Sequence, residues 1–267
     1  MQRIFFLLLF FLTHTHVSAQ FYIGVRAGVA APWAPHTFSD ASLKDNWQTK
    51  TKTVFATSLG KGLLYGLDFS WAFSEKCEVA VGTYYLNGRA KQEFRKDPES
   101  TATNYYELQM LRLTPSIRTK WGQKSTKVVG IFGLGLGLGG SISYLTKSES
   151  NNGDTYISKW IYKGGTAYQI VGGLGLEHQK KPASKYRFFA EIKLLSGAYS
   201  PRRSDWKEAS KNGVSLPPPQ TLRERQTIYV KTVSTNTPDP NKPNIDLRQY
   251  FPLGSVGLEL GMWYRLW

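Results

Sequence analysis

The sequence predicts an all-β chain folded as a closed antiparallel barrel of eight strands. Three observations carry that prediction. Apolar residues recur at every second position in eight segments, the mark of strands with one apolar face. Apolar spacing at i, i+3 and i+4, which would mark helices, is scarce. The connections between the segments are short and long in strict alternation.

In residues 21–31, Phe21, Ile23, Val25, Ala27 and Val29 alternate with Tyr22, Gly24, Arg26, Gly28 and Ala30. Residues 63–73 set Leu63, Tyr65, Leu67, Phe69, Trp71 and Phe73 against Leu64, Gly66, Asp68, Ser70 and Ala72. Residues 77–89 follow, with Val79, Val81 and Tyr85 opposite Glu78, Ala80, Gly82 and Tyr84. The apolar parity of residues 105–121 changes partway, from Tyr106, Leu108 and Met110 to Leu111, Leu113, Pro115 and Ile117. One extra residue moves every later side chain to the other face, so this switch predicts a β-bulge. Residues 128–144 contain GIFGLGLGLGG, whose glycines alternate with Phe132, Leu134, Leu136 and Leu138. No helical pattern follows these glycines, which excludes a phosphate-binding loop; they suit a strand whose inner face leaves room for other side chains. Residues 168–178 and 186–198 continue the pattern, placing Glu177, Arg187, Glu191 and Lys193 on the polar faces. The eighth segment is the carboxyl end itself, GLELGMWYRLW, with Leu258, Leu260, Met262, Tyr264 and Leu266 opposite Glu259, Gly261, Trp263 and Arg265.

Short connections fall at 74–76, 122–126 and 179–184, and long ones at 32–62, 90–104, 145–163 and 199–250. Strict alternation makes neighbouring strands antiparallel and gathers the long loops at one end of the barrel.

The amino end reads as a secretory signal over residues 1–19. Arg3 precedes the apolar run 4–12, and Val17, Ser18 and Ala19 supply a small-residue cleavage site. The run is about half of the roughly 20 residues a spanning helix needs. Residues 20–267 are then the mature barrel domain. Cys77 is the single cysteine, so no internal disulfide can form. The net charge of +15 favours an anionic partner; in an exported chain that is lipid head groups, and nucleic acid is not expected. No cofactor is expected, and no His/Cys cluster has metal-ligand spacing.

The polar face cannot be the outside of a soluble barrel. It carries Arg26, Asp68, Glu78, Arg187, Glu191, Lys193, Glu259 and Arg265 among many glycines, whereas the other face is continuously apolar. Turned outward, that apolar face forms a belt for lipid, and a closed sheet pairs every backbone group without a free edge. The segments match the about 9–11 residues a tilted strand needs to cross the hydrocarbon. Trp71, Phe73, Tyr144, Tyr186, Tyr264 and Trp267 stand toward strand ends, where an aromatic girdle would lie.

On these features the chain resembles the small bacterial outer-membrane β-barrels, the eight-stranded kind represented by outer membrane proteins A, X and W. In style it is most similar to the outer-membrane barrel domain proteins of Bacteroidetes. The resemblance implies a transmembrane barrel in the cell outer membrane of a Gram-negative organism, with short periplasmic turns and long extracellular loops. It also implies that the last strand is read by the barrel assembly machinery. Gly261, Tyr264 and Leu266 match that signal in spacing, with Leu in place of the final aromatic, and Trp267 lies one residue beyond it.

An interior this narrow is filled by side chains, so its charges are expected to pair. A structural plug and a narrow, porin-like ion path both remain open readings. Barrels of this size also include lipid A-modifying enzymes that use His with Ser and an acid. Here only His36, near Ser39 and Asp40, and His178, beside a short turn, remain after the signal, and the chain is expected not to be an enzyme. The long connection 199–250 carries Arg202, Arg203, Lys207, Lys211, Arg223 and Arg225 and two proline clusters. Its basic side chains could meet lipopolysaccharide phosphates or a surface partner, or remain solvated. Residues 222–233 alternate enough to form a hairpin or to extend the barrel strands.

Overall fold

The computed structural model describes residues 20–33, 58–97, 100–122, 125–150, 152–181, 184–233 and 239–266. The signal segment 1–19, His36 and Trp267 lie outside the described residues. The strands run β1 (Gln20–Pro32), β2 (Gly62–Ala72), β3 (Cys77–Asp97), β4 (Ser100–Trp121), β5 (Thr126–Ser150), β6 (Thr155–Lys163), β7 (Thr166–His178) and β8 (Tyr186–Ser200). There follow β9 (Arg203–Lys211), β10 (Val214–Ser215), the helical turn α1 (Leu222–Arg225), β11 (Gln226–Val230), β12 (Asn244–Leu247), β13 (Phe251–Pro252) and β14 (Ser255–Arg265).

Eight of these strands close a ring. β1 pairs β2, then β3, β4, β5, β7, β8 and β14 follow, and β14 returns to β1 from Tyr22↔Arg265 to Pro32↔Ser255. Every pairing in the ring is antiparallel, so the ladder has no open edge. The ring is the eight-stranded closed barrel read from the sequence, and its strands are those alternating segments. The shorter strands, β1 and β7 at 13 residues and β2 and β14 at 11, fit the about 9–11 residues that cross hydrocarbon.

The barrel is inside out relative to a soluble one. Val25, Leu67, Phe69, Ile117, Phe132, Leu134, Ile170, Leu174, Phe188, Ile192, Leu258 and Leu260 are all exposed on its outer face. In water so continuous an apolar surface would be untenable; facing lipid it is the hydrophobic belt of a transmembrane barrel. Near the short-turn end Phe21 stacks with Trp71 at 6.2 Å, Trp71 meets Phe73 at 6.1 Å, and Tyr186 meets Tyr264 at 5.3 Å. Tyr144 does not join this girdle. It points into the apolar interior at the opposite end, stacked on Tyr106 at 4.9 Å.

β3, β4 and β5 run on past the ring, to 21, 22 and 25 residues. The first part of β5 pairs with β7, up to Leu138↔Thr166, and the rest pairs with β6, from Ser141↔Lys163 to Glu149↔Thr155. β6 pairs β9, β9 pairs β10 and β11, and β11 pairs β12 in parallel. The connections 145–163 and 199–250 are therefore largely ordered as a lateral sheet on the long-loop end. Residues 222–225 form a helical turn instead of strand, because Thr221 and Glu224 make a reciprocal capping box. Only 226–230 extend the sheet.

The bulge expected within β4 is not there. Its alternate residues from Asn104 through Tyr106, Leu108, Met110, Arg112 and Thr114 to Arg118 and Lys120 all face inward without a break. What changes is the surroundings: above Met110 the inner face lines an apolar core, and from Leu111 onward the outer face meets lipid. The irregularity lies on the partner strand. Gln109 pairs Ser141 but Leu111 pairs Leu138, so β5 carries the extra residue at Gly139–Gly140. Gly139 has φ +62°, a left-handed conformation that glycine adopts without strain.

Candidate functional site

Every second residue of a ring strand enters the lumen, and the ring brings eleven charged side chains together there among the described residues, each at most 6% exposed. Arg26 on β1 is the hub. Its guanidinium pairs with Asp68 on β2, and Nη1 lies 2.7 Å from both Glu191 on β8 and Glu259 on β14. Lys193 Nζ lies 2.8 Å from Glu259 and 3.1 Å from Glu191, and the Tyr84 hydroxyl donates to Asp68 at 2.6 Å.

A second cluster lies toward the short turns. Arg118 Nε donates to Glu78 at 2.6 Å, Lys120 Nζ lies 2.8 Å from Glu78 and 2.9 Å from Glu177, and Arg187 Nη1 donates to Glu177 at 2.8 Å. Arg118 joins the two clusters, its Nη1 2.6 Å from Glu191. Aromatic faces cover the cations: Arg187 lies 3.6 Å from the Tyr22 ring centre, Arg26 4.7 Å from Phe189, and Arg118 5.3 Å from Trp263. Buried ions cost several kcal/mol each in desolvation, repaid only where opposite charges and hydrogen bonds meet them closely. This network meets that condition at nearly every member.

The glycines make the network fit. A Cβ on Gly82 would lie 2.5 Å from Asp68 Oδ1, and one on Gly175 2.7 Å from Glu191 Cγ. The lumen is filled, and inner-face glycines are where the large charged side chains lie.

Above the charges the lumen turns apolar. Leu86, Leu108, Met110, Ile142, Ala167 and Tyr199 from five ring strands form one buried cluster with Leu59, Phe251 and Leu253. The last three come from segments that fold in over the rim: Leu59 N donates to Pro252 O at 3.0 Å, and Leu253 N to Gly197 O at 2.9 Å. The cluster is a seal across the long-loop end. Tyr144 and Tyr162 pack against it, and Tyr162 stacks on Tyr229 at 6.0 Å, tying the seal to the lateral sheet.

On that sheet Arg202, Arg203, Lys207, Lys211 and Arg225 are exposed, and Arg223 is half-buried. Arg203 Nε lies 3.5 Å from Asp205, and Lys211 Nζ 2.9 Å from Asp154. The Asn212 amide donates to Asp154 at 2.7 Å; that hydrogen bond and Lys211 hold the Asp154 carboxyl below its ordinary pKa.

Of the side chains read from the sequence as an interior network, Arg26, Asp68, Glu78, Arg187, Glu191, Lys193 and Glu259 are brought into it. Arg265 is not among the buried charges; it stands half-buried at the short-turn rim, one step past Trp263. Arg112, Arg118, Lys120 and Glu177 were missed. Their signal was present: each lies on the polar parity of its segment, the β4 cations alternating with Leu111, Leu113 and Ile117. Gly261 faces inward against Phe189, Tyr264 meets Tyr186, and Leu266 N donates to Phe21 O at 2.8 Å across the seam. His178 is exposed, its Nδ1 2.9 Å from Thr126 Oγ1. No group of three or more metal-binding side chains occurs among the described residues.

No family model and no curated relative matches the sequence. Among solved structures the chain is similar to the attachment invasion locus protein Ail of Yersinia pestis, at 12% identity and TM-score 0.29, covering 93% of this chain and 97% of that one. It is also similar to CarO of Acinetobacter baumannii, at 12% identity and TM-score 0.33, covering 90% and 96%. At these scores the architecture rests on this chain's own strand pairing.

Proposed function

We infer that this chain is an integral outer-membrane β-barrel that does not conduct and is not an enzyme. It serves envelope structure, surface interaction or adhesion by holding an ordered lateral sheet at the cell surface. The packed lumen carries this reading: among the described residues a paired ionic layer lies beneath a buried apolar cluster. Export by residues 1–19 and recognition of Gly261, Tyr264 and Leu266 by the barrel assembly machinery would deliver it. Lipids of the outer membrane surround the belt. The basic side chains of the lateral sheet, Arg202 and Lys207 among them, face lipopolysaccharide phosphates or an acidic surface partner.

The test is planar-bilayer recording of the refolded mature chain, with heat-modifiable gel migration confirming the folded barrel. The expected record is a flat baseline. Discrete conductance steps from the unaltered protein would replace this reading with a narrow channel for small solutes. Altered lipid A masses on expression would replace it with an enzyme.

A further inference from the structure

Six of the buried lumen charges are cations and five are carboxylates among the described residues. The imbalance has an address. Arg112, on β4 just below the seal, is 3% exposed, and of the buried cations it alone makes no ion pair among the described residues. Its Nη1 reaches Gln169 Oε1 at 3.4 Å, a long hydrogen bond, and its guanidinium lies 5.2 Å from the Tyr84 ring centre. A cation over an aromatic ring recovers less than burying an unpaired charge costs. The carboxylate that acts on it electrostatically, Glu259, is already held by Arg26 and Lys193 at 2.7 and 2.8 Å.

Three donor-bearing atoms around Arg112 are buried without a hydrogen-bond partner: Arg112 Nε, Gln169 Nε2 and Thr114 Oγ1. Their placement follows from the ring. Arg112 is opposite Gly137 of β5, and Gln169 of β7 is opposite Gly135. β5 thus puts only backbone between two strands that carry donors. A Cβ on Gly135 would lie 3.1 Å from Gln169 Oε1 and 3.5 Å from Arg112 Cδ, so any side chain there would press on both residues, and glycine keeps the space beside them clear. Met110, the next inward residue of β4, belongs to the seal and roofs it. Arg26 and Lys193, 5.3 and 5.5 Å from the same Tyr84 ring, add positive potential.

We propose that Arg112, Thr114 and Gln169 form a buried site for one small monovalent anion of the halide class, held under the seal as a structural ligand. All three side chains can donate and one is a guanidinium, so the site rejects cations. Water would satisfy the donors but leave the charge uncompensated; a halide satisfies the donors and neutralises the charge. The proposal is independent of whether the barrel conducts.

The test uses the full mature chain, folded from urea into detergent micelles in sodium chloride, bromide or gluconate at one ionic strength. A ligand bound only by the folded state raises stability with the logarithm of its concentration. The urea midpoint should therefore be higher in chloride and bromide than in gluconate and rise as halide replaces gluconate. Crystals grown in bromide should show an anomalous peak within hydrogen-bond distance of Arg112 Nε and Gln169 Nε2. Arg112→Met should flatten the salt dependence, and so should Gly135→Ala, which crowds Gln169 and Arg112 and removes no charge. Should either variant not fold, the unaltered protein in three salts and the bromide peak still decide. Equal midpoints in all three salts, or bromide found only on the surface, would overturn the proposal and leave the donors to water.

Discussion

The barrel wall and the sheet above it are built from the same strands with opposite chemistry. Along the outer face of β4, Ile117 and Leu111 lie in the apolar belt, whereas Gln109 is a polar residue exposed beyond it. Along the inner face of the same strand, Arg118 and Arg112 belong to the charged lumen, whereas Met110, Leu108 and Tyr106 belong to the seal. The backbone of β4 does not change between the two. What changes is which solvent each face meets, so apolar parity in such a strand reports the medium as well as the register.

Four experiments sharpen that contrast or break it. The largest effect is expected in the lumen. Arg26→Met strands Asp68, Glu191 and Glu259 around a missing cation and should cost about 3–5 kcal/mol, read from the urea midpoint in micelles. Arg202→Met, on the exposed sheet, should stay within about 0.5 kcal/mol. The seal comes next: Leu108→Ala empties a fully buried position and should cost about 2–5 kcal/mol. If the seal is what blocks the lumen, this variant should also leak in bilayer recordings. On the outer face, Ile117→Arg should cost about 2–4 kcal/mol as a charge set in the belt, while Gln109→Arg on the same face should be near neutral. Equal costs at the two positions would sink the assignment of the boundary between them.

The smallest effect is expected at the tip of the lateral sheet. The Asp154 carboxyl titrates lower in the folded chain than its ordinary 3.8, so the tie it makes to Asn212 and Lys211 is fully present above that value. The tie is lost as pH falls through the depressed folded pKa. The protection factor of the Thr155 amide, whose N–H donates to Asn212 Oδ1 at 2.7 Å, taken against the intrinsic exchange rate at each pH, should fall on acidification. Protection within the ring strands should not follow it there.

The ring was legible because period-two alternation survives wherever one face meets lipid and the other meets charge. Seven of the eight ring strands have that property, and β5 alternates its apolar outer face with glycine. The lateral sheet was not, since β6 lies half-buried along nearly its whole length and presents no clean apolar face to read. The slip at Gly139–Gly140 was hidden inside a glycine run whose alternation continued on either side of it. β4 shows the converse: its apolar parity changes with its surroundings while the backbone register against β3 runs on unbroken through that change. Seven members of the ionic network could be named from polar parity alone, but which carboxylate each cation meets depends on strand neighbours across the ring. The lone position of Arg112 could not be read either, because it depends on which residue of β5 stands opposite, and that residue is Gly137.

Arg26 sits on the first strand of the ring and reaches carboxylates on the second, the seventh and the last. The junction where the barrel's two terminal strands meet is therefore laced from within as well as zipped along its backbone. Peeling β14 from β1 would break more than a ladder of amides. It would draw Glu259 away from Arg26 and bring both toward the acyl chains, where neither has anything to bind. A wall of this kind should be reluctant to part sideways into the bilayer, and its last act of folding should be to fasten that latch.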